Sequence, residues 1–577
     1  MAPALGLLAP STATDAFPQL ETRLVSILAA IESTAALTEP ATTTTTTTMT
    51  AMIYQAVRRL SAWLLLLLVF STHSDASSAP QSYDDGSAIL NRGLASTPFR
   101  RLGQYSPRFA VSPADYRTPL PDHCETVQLH SLERHGARHL TKSALKSASA
   151  TLVKLQSSIR AVQDLSRLLP EHRFVKDASL ANASDSLIPY GALQAWYSGR
   201  SAATRFPVLA KAVPFARSTG DLDGSDRVIL TAQYWLAGFH GQDVPFHSAP
   251  LDTSDAVRTF ARASLPLPDV IFSEHDGQNN TLHVDTCPAA DALTGPDTED
   301  GAQALFTNST LLDTVGRRLD DRLRTAGVRN LTLSGTDLVN LSNLCAFETL
   351  IDAELLPGYR VRHRPSGFCS LFRDDDWEAL GYVYDVGKYY GAGYGNPYHR
   401  ALGQGYLREL RARLTNTAPV LDPPTSLNTT VDGDPALFPV DDGRIYLDTS
   451  HDNEIGPMVA ALGLFDGPRL STARDAQLRP RAWRFSHIAP FGGKIEIEKV
   501  RCRARAPHAE QQQQGGGARS EYVRIRANGQ LLSTDRSWCP APPSSRRRRH
   551  AFLCPLDAFV DRLTFVQTDD EWQKCYI

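Results

Sequence analysis

The sequence of 577 residues has little excess charge, since 59 Lys and Arg against 62 Asp and Glu leave a formal net charge of −3. Near balance gives no chain-wide field for polyanions, which excludes a general nucleic-acid binder and makes any anion site local. Long apolar runs are almost missing. Leu60–Phe70 (LSAWLLLLLVF) alone is long and apolar enough to weigh for a membrane, so a polytopic membrane protein is excluded. Cysteines are few, eight in all, and none stands in a C-x-x-C pair, which argues for disulfides over zinc. No G-x-S-x-G elbow occurs, so a serine-hydrolase reading has no nucleophile turn. Hydrophobic residues make up 42% of the chain and charged ones 21%, enough apolar content for one large domain or several ordinary ones.

Arg58 and Arg59 precede the apolar run, and Ser74 and Ala76 stand at positions −3 and −1 of a candidate cleavage site. An apolar core of about 11 residues fits a secretory signal and is too short to span a bilayer. A signal peptide does not ordinarily follow a long preface ending in a threonine tract, so translation is expected to start at Met49 or Met52. Residues 1–51 then form an extension, 52–76 a signal peptide, and the mature chain begins near Ser77; a signal anchor is the competing reading. Downstream lie six N-x-S/T sequons, at Asn182, Asn279, Asn308, Asn330, Asn340 and Asn428, and all the cysteines. A secreted, oxidised glycoprotein with no stable membrane span is expected.

Thr126–Leu132 alternates apolar and polar residues and reads as a strand running into Glu133-Arg134-His135-Gly136-Ala137-Arg138. Beyond Thr141, apolar residues from Leu145 to Leu169 keep helical spacing, which predicts a helix of about 25 residues. Two further strand-loop-helix units follow. One runs from Ala212–Phe215 through Arg217 and a Gly/Asp/Ser loop to Arg227–Ala232, which enters the helical TAQYWLAGF. The other runs from Arg444–Asp448 through Ser450-His451-Asp452-Asn453 to MVAALGLF. In open α/β sheets the crevice at the carboxyl ends of such strands is where ligands bind. Residues 285–430, with helical patches, read as an inserted cap between α/β parts at 77–284 and 431–577. Near the end, Lys494–Ala504 alternates, and Val523–Ile525 is expected to pair with Leu531–Leu532 across Asn528-Gly529. Gln511–Gly517 and Arg546–Arg549 read as surface insertions.

The R-H-G-x-R loop puts two guanidiniums and an imidazole on one turn, with a glycine that admits close backbone approach. Guanidiniums match phosphate oxygens bidentately. Positive neighbours disfavour the protonated imidazole and keep a lone pair for attack. Asp452 is a candidate proton donor, provided burial or anionic surroundings raise its pKa. A zinc site through His130, His135 and His139 fails on spacing, since i and i+5 do not share a helix face.

HSLERHGARHLT resembles the R-H-G-x-R signature of the histidine acid phosphatases, and YLDTSHDNEI resembles their His-Asp signature. LIPYGALQAWYSGRSAATRFP, FARSTGDLDGSDRVI, VIFSEHDGQNNTL, NLCAFETL, GFCSLF, VGKYYGAGYGNP, APFGGKIEIE and DEWQKCY are similar, in order, to the fungal phytase (3-phytase) branch. The resemblance implies a phosphoglycerate-mutase-like α/β fold, with a central mixed sheet flanked by helices and an inserted α-helical cap. It implies hydrolysis of phosphomonoesters, phytate foremost, through a phosphohistidine and without cofactor or metal, by a monomer. By the same resemblance His135 is the nucleophile, Asp452 the proton donor, and Arg134, Arg138, Arg217 and His451 hold the phosphate. Lys142, Lys146 and Lys388 are candidates for holding phytate. The implied disulfides are Cys124–Cys502, Cys287–Cys575, Cys345–Cys369 and Cys539–Cys554. The chain departs from the branch at His139-Leu140, where Tyr-Pro is frequent, so a looser or reshaped loop is expected there. It departs also in extra residues around Asp221–Asp223 and in the arginine-rich stretch before Cys554. The competing functions are a broad-specificity acid phosphatase and a catalytically silent binder of phosphorylated ligands.

Overall fold

The computed structural model describes residues 86–576 apart from 95–96, 113–114, 116–117, 160–183, 223–225, 246–253, 329, 474–479, 504–518, 534–538 and 540–551. The expected extension and signal, the sequon at Asn182, the glutamine-glycine tract and the arginine run lie outside the described residues.

Ten strands occur in chain order: β1 (Cys124–Arg134), β2 (Phe215–Thr219), β3 (Val270–Phe272), β4 (Glu354–Leu356), β5 (Arg360–Arg362), β6 (Arg444–Ser450), β7 (Lys494–Arg503), β8 (Arg519–Ala527), β9 (Gln530–Leu531) and β10 (Cys554–Pro555). The main sheet runs β10-β8-β7-β1-β6-β2-β3, with β9 folded back on β8. Strands β1, β6, β2 and β3 are parallel, while β7, β8 and β10 extend the sheet antiparallel from β1. The sheet is therefore mixed, as the resemblance implies. In β1 the alternation seen in sequence gives way to unbroken burial from Val127 to Arg134, because helices cover both faces of the parallel part. On one face Glu133 accepts hydrogen bonds from Trp235 and Ser198, in helices Arg227–Phe239 and Pro189–Arg205. On the other, Arg413 of helix His399–Leu414 packs its guanidinium over Tyr446 of β6, 4.5 Å from the ring centroid.

The helix after the R-H-G loop spans Lys142–Ile159, after which the chain passes outside the described residues. Asn528 and Gly529 both take positive φ, 45° and 83°, and close β8 on β9 with Arg526 opposite Leu531. This is the two-residue turn that Asn-Gly favours, with Val523–Ile525 occupied by β7 on their other side. Residues 285–430 hold helices including Glu299–Phe306, Gly335–Ile351, Asp374–Ala392 and His399–Leu414, and the β4–β5 hairpin. Among the described residues they add no strand to the main sheet.

Disulfides join Cys124–Cys502, Cys287–Cys575, Cys345–Cys369 and Cys539–Cys554. The first ties β1 to β7 at a position where the two residues are already in register. Asn340 is buried, its Nδ2 donating to Ser147 and Thr151, so this sequon offers no accessible amide in the folded chain. No helix among the described residues is long and apolar enough to cross a membrane.

Candidate active site

The carboxyl ends of β1 and β6 lie side by side, with Arg134 in register with Ser450. The next residue of each strand is a histidine, and the His135 and His451 rings stand 5.4 Å apart edge to face. The loop after β1 leaves the strand under tight constraint. A Cβ on Gly136 would stand 2.3 Å from the carbonyl oxygen of Gly191, so only glycine lets the loop press against helix Pro189–Arg205. Beyond it the chain is pinned by His139 N–H to Ser186 O at 3.0 Å and Asp185 N–H to Leu140 O at 3.0 Å. His139 and Leu140 are both buried. The loop expected to be looser at these positions is anchored, because Leu140 joins the core and backbone pairs do the work that a proline would otherwise do.

His135 is buried, and its Nδ1 donates to the Gly136 carbonyl at 2.8 Å. That bond places the proton on Nδ1 and leaves the Nε2 lone pair free. Burial, then the charges of Arg134, Arg227 and Arg138 and the His451 ring, hold the imidazole well below its ordinary pKa. Arg134 is fully enclosed. It donates to Ala489 O at 3.0 Å and to Gln104 O, lies over the Phe491 ring at 4.7 Å, and reaches Asp452 Oδ1 at 2.9 Å. Burial outweighs Asp452 and draws its pKa to about 10. Arg138 donates to His139 O at 2.8 Å and shares the Phe491 ring from 5.9 Å. Nε of each guanidinium is buried without a hydrogen-bond partner among the described residues, leaving N–H capacity that an oxyanion would satisfy.

Asp452 opens helix Asp452–Ala461, with His451 in the N-cap position. Its Oδ2 takes Lys388 Nζ at 2.9 Å while Oδ1 takes Arg134. Burial alone would raise this carboxyl, but Arg134, Lys388 and then Arg138 hold it well below the usual carboxylate range. The sequence argument that burial raises the pKa is thus overturned for the free protein by three cations. Lys388, a sequence candidate for holding phytate, is 4% exposed and bonded to Glu299, Asn453 and Asp452. Asp452 and Glu299 raise its pKa against the effect of burial, so it stays a cation beside the carboxyl. His451 Nε2 meets Glu274 Oε1 at 2.7 Å, and its Nδ1 faces Arg227 Nη2 at 3.3 Å. Burial would raise Glu274, yet its hydrogen bond to His451 and that ring's charge bring it to about 2.

Arg217 does not belong to this constellation. It lies in the middle of β2, wholly buried, with Asp448 Oδ1 and Glu409 Oε2 each at 2.7 Å. It holds the sheet to helix His399–Leu414 and spends its guanidinium on carboxylates. The arginine of this motif that reaches the crevice is Arg227, at the first turn of helix Arg227–Phe239 and against His451. Sequence reading put Arg227 at the entry to the helical run and gave the grip to Arg217 instead. The signal that could have found it was Asp226-Arg227 at the start of the apolar helical pattern, where a helix beginning after a strand opens onto the crevice. Lys142 and Lys146 lie exposed on the helix that follows the loop, outside the buried centre. Gln104, Phe491, Glu274 and Glu299, none of them singled out in sequence, complete the shell around it.

Residues 125–528 match the profile of the histidine phosphatase superfamily, branch 2. The chain belongs to that family. Among its curated relatives, Phytase A of Aspergillus oryzae is 32% identical over 480 residues, covering 82% of this chain and 90% of that protein. Phytase A of Neurospora crassa is 30% identical over 551 residues, covering 89% and 100%. In fold, this histidine phosphatase is similar to the phytase from D. castellii, with TM-score 0.54, 21% identity, and coverage of 85% of this chain and 88% of that one. It is similar also to a Bifidobacterium longum multiple inositol polyphosphate phosphatase in complex with inositol hexasulfate, with TM-score 0.52, 15% identity, and coverage of 81% and 98%.

Proposed function

We propose that this histidine phosphatase removes phosphate from phytate, myo-inositol hexakisphosphate, through a phosphohistidine on His135. The observation that carries the reading is the His135 imidazole, buried among three guanidiniums with Nδ1 committed to Gly136 O. A phosphoryl group enters between Arg134, Arg138, Arg227 and His451. His135 Nε2 attacks phosphorus, the bond from phosphorus to the inositol oxygen breaks, and Asp452 gives that oxygen a proton. Water then attacks the phosphohistidine, Asp452 takes the proton of the water, the N–P bond breaks and inorganic phosphate leaves.

Asp452 is ionised in the free protein, so its proton depends on the substrate. A phosphate monoester carries close to two negative charges, with a second pKa of ~6. Set on Arg134 and Arg138, those charges cancel the field that holds the carboxyl down. In acid the monoanion also brings its own proton into the site. Lys388 orients Asp452 and is a positioning residue. Lys142 and Lys146 supply positive potential outside the centre that draws in a polyanion.

The Phytase A relatives support phytate as the substrate. One observation favours the broader acid-phosphatase reading. A cavity of about 380 Å³ beside the site is lined by Asp285, Asp291, Asp297, Glu299 and Glu454, charges that repel additional phosphates. The signal and the disulfides support secretion from about Ser77. The deciding experiment is acid-quench trapping of labelled phosphate on the wild-type protein and on His135→Ala, with kcat/KM on phytate and on an aryl phosphate. Label on His135 and a preference for phytate are expected. Label recovered on serine or aspartate would sink the mechanism, and equal kcat/KM on both substrates would transfer the reading to the broad phosphatase.

A further inference from the structure

Beside the phosphate grip stands a group of side chains that hydrolysis does not require together. His283 follows the buried Asn280-Thr281-Leu282 turn, and its ring lies 5.5 Å from the His451 ring. His451 contacts Glu274 on its other side. One ligand atom each from Glu274, His283 and His451 lies within 4.8 Å of the other two. Two imidazoles and a carboxylate are a zinc-type donor set, bound at about 2.0–2.2 Å, which puts donor atoms roughly 3.3 Å apart in a tetrahedron. Opening the 2.7 Å contact of His451 with Glu274 to that spacing needs only a small side-chain movement. Imidazoles that share such an ion have ring centroids roughly 5 Å apart, close to the separation seen here.

Two further observations point to a cation. His283 Nδ1 lies 3.2 Å from Glu454 Oε1, and beside it Glu454 Oε2 and Asp285 Oδ1 are buried without a hydrogen-bond partner among the described residues. His283 also lines the cavity carrying Asp285, Asp291, Asp297, Glu299 and Glu454. That acidic mouth concentrates cations and repels phosphoanions. It gives a metal an approach to His283, the member of the trio that lines the cavity, from outside the arginine grip.

We propose that Glu274, His283 and His451 form a binding site for a divalent transition-metal ion of the zinc class, and that its occupation withdraws His451 from phosphate and inhibits the enzyme. The binding half stands on this geometry alone; the inhibition half rests on His451 acting in the proposed hydrolysis. Three protein ligands leave a fourth position for water. The ion is an inhibitor and not a cofactor, since the grip already neutralises phosphate through guanidiniums.

The test uses the full secreted chain at neutral pH, with Zn²⁺ alone in calorimetry and Co²⁺ alone in absorption spectroscopy. Turnover is followed on an aryl phosphate, because phytate itself chelates metal. One equivalent of Zn²⁺ and a cobalt spectrum of tetrahedral type are expected. His283→Ala should weaken binding at least tenfold and relieve inhibition in proportion, each variant being scaled to its own metal-free rate. Asp285→Asn, in the cavity but outside the trio, should change affinity less than threefold. Unchanged binding in His283→Ala, or equal losses in both variants, would overturn the site. Binding lost without relief of inhibition would overturn the inhibitory role. A protein that binds one Zn²⁺ through His283 but shows no turnover would refute the hydrolase reading and leave the site standing.

Discussion

Arg217 and Arg227 stand ten positions apart in one motif, and exchanging each for methionine should break the protein in two different ways. Arg227 faces His451 at 3.3 Å, and burial and Arg138 already lower its own pKa. The fold therefore gains little from its charge, and Arg227→Met should leave the urea midpoint close to wild type. A charged hydrogen bond to phosphate is worth about 1.5–3 kcal/mol, so kcat/KM should fall roughly 10- to 150-fold. The substitution also removes one of the charges that depress His135, so the acid limb of the kcat/KM profile should move to higher pH. Arg217→Met strands Asp448 and Glu409, each 1% exposed and each 2.7 Å from the lost guanidinium. Arg413 at 3.2 Å still reaches Asp448, whereas Glu409 is left with the Thr281 hydroxyl at 2.9 Å and the Asp432 side chain, neither of them a cation. Removing one partner of a buried ion pair costs about 3–5 kcal/mol. The measurement is urea unfolding by circular dichroism beside steady-state rates on phytate and an aryl phosphate. An Arg217→Met protein of wild-type stability with collapsed kcat/KM, next to a normal Arg227→Met, would refute the assignment.

Asp452→Asn keeps the size of the side chain but cannot deliver a proton, so its rate should drop by about 10²–10⁴-fold on phytate, whose leaving group is an alkoxide. The loss on an activated aryl ester should be much smaller, and equal losses would remove Asp452 from the donor role. Lys388→Met takes away one of the cations that depress Asp452; a donor with a raised pKa stays protonated to higher pH, so the basic limb of kcat should move up, and an unmoved limb counts against this coupling. Because His135 is held well below its ordinary pKa, the proposed nucleophile should remain neutral at pH values below that of a free histidine, and a pH-rate profile with an acid limb near the free-histidine value would contradict this. Neutralising Lys142 and Lys146 together should raise KM for phytate and spare the aryl phosphate; parallel changes on both would remove them from substrate attraction.

The sequence alone was enough to locate the two loops that matter. Each follows a parallel strand and precedes a helix, and that local pattern places Arg134, His135, His451 and Asp452 at one end of a sheet whatever the rest of the chain does. The Asn528-Gly529 turn was legible for a similar reason, since its backbone requirement is local. Arg217 could not be placed by such means. In a strand, one residue of register decides which face a side chain meets, and β2 runs on to Thr219, which turns Arg217 toward Glu409, a partner 192 positions away. Lys388 was equally out of reach, because its contact with Asp452 depends on how helix Asp374–Ala392 docks against the start of helix Asp452–Ala461. The charge state of Asp452 follows from that docking: the sequence reading made a raised carboxyl pKa a condition of the donor role, and only packing sets Arg134 and Lys388 on its two oxygens. Chemistry carried by adjacent residues can be read from the chain, whereas electrostatics depends on distance in space, and those distances are decided when remote elements pack.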